Sequence, residues 1–173
     1  IDTGATYRCV TLEMMNQNIG MDEEEKIAEM LKSIQIELST EKGKQKVFLN
    51  GQDVTDKIRS KEVSANVSPV SSIKQVRLAM GGLQRKMAQG KDVIMEGRDI
   101  GTVIFPNADV KIYLDANVEV RAKRRVKQNE EKGNEMSYEE VLENIMKRDK
   151  NDMEKELGAL KVAEDAVVID GSE

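Results

Sequence analysis

Hydrophobic and polar residues follow two different periodicities in the first part of this chain. The helical spacing of apolar residues predicts one helix over 7–16 and a second over 21 to about 33. Strict alternation of apolar and polar residues begins at Ile34, and a short apolar run then leads into the pair Asn50-Gly51. An Asn-Gly pair in this setting favours a type I′ turn, so the pattern predicts a small antiparallel sheet inserted between helices.

After this predicted sheet, apolar residues again have helical spacing. One helix is predicted from Thr55 or Asp56 through Val67, and another from Ser72 through Met87, because Thr, Asp and Ser are favoured at the position that caps a helix. Two further helices are predicted from their apolar spacing, over 117 to about 132 and over 137–157. The last of them begins with a Ser-x-x-Glu capping box.

Three short apolar runs in the second half predict strands. They cover residues 93–95, 110–114 and 166–169, and continuous apolar runs of this length are typical of parallel strands covered on both faces. Because helices separate the last two runs, the order of elements predicts an α/β fold with a parallel sheet.

The composition limits the classes of protein that fit. With 173 residues and 39% hydrophobic content, the chain is predicted to form a single compact domain, and a monomer is the default. The formal net charge of −5 argues against nucleic acid as the main partner. No apolar run reaches the ~18 residues that a membrane span requires. With only one cysteine and no secretory signal, a soluble cytoplasmic protein is expected.

The chain contains no histidine. This excludes Ser-His and Cys-His nucleophilic triads and most zinc sites, and it removes the commonest general base. Any chemistry in this protein must therefore use other side chains.

Several arginines stand where an anion could bind. Arg8 follows a Thr-Gly loop, Arg77 lies one turn into a predicted helix, and Arg98-Asp99 follows a predicted strand. Ligands of open α/β sheets bind at the carboxyl ends of strands, which favours a binding role for Arg98 and Asp99. The structural alternative is a surface turn in which these two residues form an ion pair.

Two helices also carry basic side chains on one face. Arg121, Arg124 and Arg125 have the spacing of a single helical face, which suits a polyphosphate but equally suits a solvated surface or an interaction surface. Arg148, Asp152 and Lys155 form a second stripe, in which the carboxylate could accept bonds from sugar hydroxyls while the cations face phosphate. The alternative there is an ordinary salt bridge within the helix.

Four stretches occur in an order that is specific to one family of enzymes. They are Asp2-Thr3-Gly4-Ala5-Thr6-Tyr7-Arg8, Leu49-Asn50-Gly51-Gln52-Asp53-Val54-Thr55, Ile58-Arg59-Ser60-Lys61-Glu62-Val63, and Gly97-Arg98-Asp99-Ile100-Gly101-Thr102-Val103 with Phe105-Pro106. Together they resemble the bacterial cytidylate kinases. The resemblance implies a P-loop nucleoside-monophosphate kinase fold of the α/β class. Its kinase core would cover 1–33 and 70–173, and its inserted nucleotide-binding subdomain would cover 34–69.

The resemblance also implies roles for particular residues. The positions that read the cytosine ring are matched by Ser68, Arg77 and Asp99. Those that grip the CMP phosphate are matched by Arg8 and Arg98, with Thr3 and Tyr7 alongside. The ribose contacts are matched by Arg148 and Asp152. The mobile lid, about 121–137, contains the three arginines with a catalytic role, Arg121, Arg124 and Arg125. The family often has Arg where this chain has Lys155. Among the substrate-binding residues, the compact ammonium of lysine therefore replaces the planar guanidinium of arginine.

The activity that the resemblance implies is transfer of the γ-phosphoryl group of ATP to CMP, and to dCMP, with Mg²⁺ as the cofactor. The rivals are a uridylate or mixed pyrimidine kinase and a non-catalytic pyrimidine-nucleotide-binding module. The phosphate loop G-x-x-x-x-G-K-[ST] that such kinases use for ATP does not occur in these 173 residues. We therefore expect this loop before Ile1 and a final helix after Glu173, and we expect the chain by itself to be inactive.

Overall fold

The computed structural model describes residues 1–41, 43–131, 133 and 135–173. Its elements alternate between helices and short strands and form a mixed α/β fold. The helices are α1 (Gly4–Asn16), α2 (Glu24–Ser33), α3 (Lys61–Val70), α4 (Lys74–Ala88), α5 (Val118–Glu131) and α6 (Tyr138–Glu154). The strands are β1 (Ile36–Glu41), β2 (Lys44–Leu49), β3 (Gln52–Asp53), β4 (Ile112–Asp115) and β5 (Val167–Asp170).

The first three strands form the small antiparallel sheet that the alternating pattern predicted. Strand β2 lies in the middle, with Ile36 of β1 opposite Leu49 and Asp53 of β3 opposite Phe48. Between β2 and β3, Asn50 and Gly51 have φ angles of 50° and 79°, the positive values that a type I′ turn requires. The Asn50 side chain also accepts a hydrogen bond from the Gln35 amide at 2.9 Å and donates one to Glu13 at 3.2 Å.

The buried core lies in residues 5–80. Fully buried aliphatic side chains from α1, α2, β2, α3 and α4 pack together there, including Val10, Ile27, Ile58 and Val76, each of them 0% exposed. The antiparallel sheet contributes Val47 and Leu49 to the same cluster. Because these side chains meet in one cluster, the first half of the chain has a continuous hydrophobic interior.

The second sheet is a parallel pair of β4 and β5, with Ile112 opposite Val167. The prediction that these strands are covered on both faces is wrong, since Ile112 is 61% exposed and Leu114 73%. A ladder of two four-residue strands shields little of its own surface. Residues 93–95 do not form the predicted strand. The backbone of Ile94 and Glu96 hydrogen-bonds to residues 1–3 instead, leaving one isolated parallel bridge, and the Ile94 side chain is 90% exposed.

The predicted helix starts differ from the observed ones: α1 begins at Gly4 rather than at residue 7, and α2 at Glu24 rather than at residue 21. The segment after β3 forms a short 3-10 turn (Lys57–Arg59) before α3, and the cap of α3 is Ser60, whose hydroxyl accepts from the Val63 amide at 3.3 Å. Thr55 cannot cap a helix because its hydroxyl bonds to Asp53 and Val47. The cap of α4 is Ile73, one residue after the predicted cap Ser72, whose hydroxyl bonds back to the Ser68 carbonyl instead.

The last two helices lie close to their predicted positions and pack against each other. Helix α6 begins with the predicted capping box, in which Ser137 and Glu140 bond to each other's backbone amides. The predicted end of α5 at Lys132 lies outside the described residues, as does Asn134 within the predicted lid. The division into a core and an inserted subdomain stays a prediction. Among the helices of the described residues, none has the length and apolar character that a membrane span needs.

Candidate functional site

One large cleft, of about 740 Å³, opens between α1, the end of α3, the loop around residues 96–102 and the end of α6. All the substrate-binding residues predicted from the sequence line it. They are Thr3, Tyr7, Arg8, Ser68, Arg77, Arg98, Asp99, Arg148, Asp152 and Lys155. Side chains from five separate parts of the chain therefore converge on a single surface, as a nucleotide site requires.

One deeply buried part of the cleft is an ion pair between Arg77 of α4 and Asp99. Each side chain is 6% exposed, and an Arg77 guanidinium nitrogen donates directly to the Asp99 carboxylate. Arg77 also donates to the Ser71 carbonyl at 3.1 Å, and its guanidinium lies 5.4 Å from the centre of the Tyr7 ring. These contacts fix the direction of the guanidinium before any ligand arrives.

The same pair is covered by Gly158, which has a φ of +70°. A Cβ atom added there would overlap the Arg77 guanidinium and the Asp99 carboxylate, so the segment after α6 approaches the pair as closely as backbone can. Burial raises the pKa of the neighbouring Tyr7 hydroxyl, although the positive charge of Arg77 opposes the shift. Within the described residues this hydroxyl has no hydrogen-bond partner.

Asp152 forms the centre of a second cluster, on α6. One carboxylate oxygen accepts from the Lys155 ammonium at 2.7 Å. The other oxygen lies 3.2 Å from Arg98 Nε and 3.8 Å from Arg148 Nε. Neither arginine makes a well-directed hydrogen bond to that second oxygen, and it has no other hydrogen-bond partner among the described residues. The buried carboxylate therefore keeps one acceptor for a ligand.

The wall of the cleft next to Asp152 carries an excess of positive charge. Arg8 donates to the Ile58 carbonyl and the Ser64 hydroxyl, both at 2.9 Å. The pKa of Arg8 is lowered to about 10, mainly by burial and in addition by the charges of Arg148, Arg59 and Arg125. Burial likewise lowers the pKa of Arg148, with Arg98 the next largest cause. Guanidinium groups held this close repel one another, and a bound dianion would relieve that repulsion.

The three predicted lid arginines of α5 are not placed alike. Arg121 lines the cleft, 2.7 Å from Asp149 of α6. Arg124 instead donates to the Glu173 carbonyl at 3.1 Å. Arg125 contacts Gln128 on its own helix, yet its charge acts on Arg8 and Arg148. The structure therefore brings one of the three into the cleft and a second within electrostatic range, and their catalytic role stays a prediction.

Four polar residues beside the cleft were not singled out from the sequence. Arg59 lies 3.4 Å from Asp2, Asp149 pairs with Arg121, Asn151 donates to the Ser68 hydroxyl at 2.6 Å, and Ser71 accepts from Arg77 through its carbonyl. A signal for Arg59 was present, since it stands within one of the four family-like stretches. Nothing in the sequence distinguishes Ser71 from its neighbour Ser72.

Comparison with known proteins agrees with this geometry. The sequence matches the family model described as cytidylate kinase over residues 1–173. The chain belongs to the cytidylate kinase family. It is 49% identical over 172 residues to the cytidylate kinase of Caldicellulosiruptor bescii, which covers 99% of this chain and 76% of the relative. It is 49% identical to that of Bacillus subtilis over 98% of this chain and 76% of the relative. For the cytidylate kinase of Halalkalibacterium halodurans the identity is 43%, over 98% of this chain and 77% of the relative.

Proposed function

We propose that this protein transfers the γ-phosphoryl group of ATP to CMP and dCMP. The observation that carries the proposal is the convergence of the ten predicted substrate residues on one cleft, in a chain of the cytidylate kinase family. We further propose that the complete fold is that of a P-loop nucleoside-monophosphate kinase, with the antiparallel sheet in its nucleotide-binding subdomain.

The buried pair Arg77 and Asp99 suits a cytosine ring. Cytosine presents a carbonyl oxygen and a ring nitrogen that accept hydrogen bonds, and an exocyclic amine that donates them. Arg77 can donate to the acceptors and Asp99 can accept from the amine, with the Ser68 hydroxyl nearby. Uracil has an oxygen in place of the amine, which would face the Asp99 carboxylate. Because the site would then hold an unpaired buried acceptor, we expect discrimination of about 100-fold or more against UMP.

The arginine wall suits the phosphate of CMP. Arg8, Arg98 and Arg148 line the cleft together, and the Asp152 oxygen that lacks a directed hydrogen bond lies beside Arg98 and Arg148. A nucleotide placed with its ring on Arg77 and Asp99 can put a ribose hydroxyl on Asp152 and its phosphate among the arginines.

The phosphoryl transfer itself needs no general base. The acceptor phosphate of CMP is already ionised near neutral pH, so catalysis consists of positioning and charge neutralisation. We propose that Arg121, Arg124 and Arg125 move with α5 to neutralise the transferring group and to exclude water. Cys9 takes no part, because it is fully buried and burial raises its pKa to about 12.

Magnesium is expected to arrive with ATP rather than at a site of this cleft. Four of the carboxylates that line it are already engaged by a cation: Asp2 by Arg59, Asp99 by Arg77, Asp149 by Arg121 and Asp152 by Lys155. No cluster of three potential metal ligands occurs among the residues that the structure describes.

A kinase assay on the protein expressed from its complete reading frame tests the proposal. We expect phosphorylation of CMP and dCMP, weaker use of UMP and none of AMP. Asp99→Asn should lower kcat/KM for CMP by about 100-fold and reduce the preference over UMP. The exposed Asp109→Asn, a matched loss of one carboxylate charge, should leave both unchanged. Equal turnover of CMP and AMP by the wild type would contradict the proposal.

The second candidate function is a non-catalytic module that binds pyrimidine nucleotides. The observation in its favour is that the residues predicted to bind CMP line the cleft. We propose that the 173 residues by themselves bind CMP without turning over ATP. CMP binding without any ATP-dependent product, measured on the protein from the complete reading frame, would favour the module over the kinase.

A further inference from the structure

Lys155 is the residue of the cleft whose contacts depart from what the sequence predicted. A cation on this stripe of α6 is expected to face a phosphate. In the structure its side chain is only 5% exposed, and its ammonium lies 2.7 Å from Asp152 and 3.0 Å from the Ser71 hydroxyl. Two of its three N–H donors therefore point at protein atoms.

Ser71 connects this ammonium to the base-reading side of the cleft. Its hydroxyl donates to the Ser68 carbonyl at 2.8 Å, so its lone pairs are left to accept from Lys155. Its own carbonyl accepts from Arg77 at 3.1 Å. One residue at the end of α3 thus contacts Arg77, Ser68 and Lys155 at once.

We infer that Lys155 is a positioning residue, which ties the sugar-binding carboxylate of Asp152 to Ser71 and so to Arg77, rather than a ligand of the CMP phosphate. The inference rests on the proposed function. The phosphate of CMP is then bound by Arg8, Arg98 and Arg148, whose guanidinium groups are more exposed or less fully paired than the Lys155 ammonium. A compact ammonium fits between a carboxylate and a hydroxyl, whereas a planar guanidinium would present its fork to a phosphate.

The physical reason for such a tie is the distance in sequence between the parts. Ser71 and Lys155 are separated by 84 positions, and Asn151 to Ser68 by 83, so these two hydrogen bonds join α3 to the end of α6. Without them, the groups that recognise base and sugar would sit on elements free to shift relative to each other, and a small displacement weakens every contact to the ligand.

Comparing cytidine with CMP separates the two roles of Lys155. If it positions Asp152, Lys155→Met lowers the affinity for both ligands by the same factor, about tenfold, because both use the sugar contact. If it binds phosphate, the variant weakens CMP and leaves cytidine unchanged, and this inference is overturned. The measurement is calorimetric titration of the full chain, with the exposed Lys150→Met of the same helix as the matched control.

Ser71→Ala provides a milder variant that keeps both charges, and it guards against misfolding of Lys155→Met. We expect it to weaken cytidine and CMP alike by about threefold, and to raise the KM for CMP with kcat unchanged in the kinase assay. The double variant should bind no more weakly than Lys155→Met alone, since both changes break the same link. Fully additive losses would contradict the link.

The outcome also distinguishes this inference from the proposed function. Wild-type protein that binds neither CMP nor cytidine overturns both. Wild-type protein that binds and phosphorylates CMP, but whose Lys155→Met variant loses affinity for CMP only, overturns the positioning role and leaves the kinase proposal intact.

Discussion

The two sides of the cleft are built on unlike parts of the molecule. On one side, Tyr7, Arg8 and Arg77 project from helices whose opposite faces pack into the buried cluster of residues 5–80. On the other side, Arg98 and Arg148 are 46% and 38% exposed and interact with one carboxylate. We call residues 1–88 the packed half and residues 89–173 the open half. The difference indicates that packing holds Tyr7, Arg8 and Arg77 in place, while the more exposed Arg98 and Arg148 can adjust to the ligand.

The sharpest test of this comparison is a matched pair of isoleucines. Ile58→Ala should lower the free energy of unfolding by about 3 kcal/mol, because the side chain is 0% exposed and its loss leaves a cavity. Ile112→Ala, which removes a side chain of β4 that is 61% exposed, should cost under about 1 kcal/mol. Urea titration followed by circular dichroism gives both values. Similar losses for the two variants would remove the distinction between the halves.

A second test of the comparison is the pH dependence of stability, which the buried Cys9 of the packed half is expected to affect. Burial raises the pKa of Cys9 from its ordinary value near 9 to about 12. The folded state then holds a proton that the unfolded chain releases, so stability is complete below pH 9 and falls as pH rises toward 12. At pH 10.5 the loss from this thiol is about 2 kcal/mol. The check is the slope of unfolding free energy against pH, which should be flatter for Cys9→Ala than for the wild type. Parallel slopes would mean that the thiol is hydrated.

The smallest expected effect on stability concerns the N-terminus of α3, the helix that carries Ser68. Ser60→Ala removes the hydroxyl that caps this helix and should cost about 1 kcal/mol. Ser72→Ala is the control, since Ser72 caps no helix here and its removal should stay within about 0.5 kcal/mol. Thermal unfolding of both variants provides the comparison. If Ser72→Ala were the more damaging change, helix α4 would begin where the sequence predicted.

Local signals were sufficient for much of the fold. Asn50-Gly51 has few alternatives to a type I′ turn, and the Ser137 capping box specifies its own helix start, so both were predictable. Ser72 was misassigned because serine caps a helix or bonds to a preceding carbonyl equally well, and only the position of Ser68 decides between them. Whether residues 93–95 form a strand depends on which strands lie beside them, and no local pattern contains that information.

Site residues were predictable where they lie within the four stretches that resemble the cytidylate kinases. Thr3, Arg8, Arg98 and Asp99 stand within them, and all four line the cleft. Ser71 was missed because its importance lies in contacts to Lys155 and Arg77, at different separations in the sequence. A link of this kind becomes visible only when helices α3 and α6 are seen side by side.

The turn at Asn50-Gly51 affects how readily the protein undergoes deamidation. Asparagine followed by glycine is the pair that loses ammonia most readily through a cyclic imide, because the unhindered glycine nitrogen can attack the side-chain amide. Here both ends of that amide are engaged, by the Gln35 amide and by Glu13, which holds it away from the attacking geometry. Conversion to aspartate would set a new carboxylate against Glu13, so chemical damage at this one site would separate the hairpin from α1.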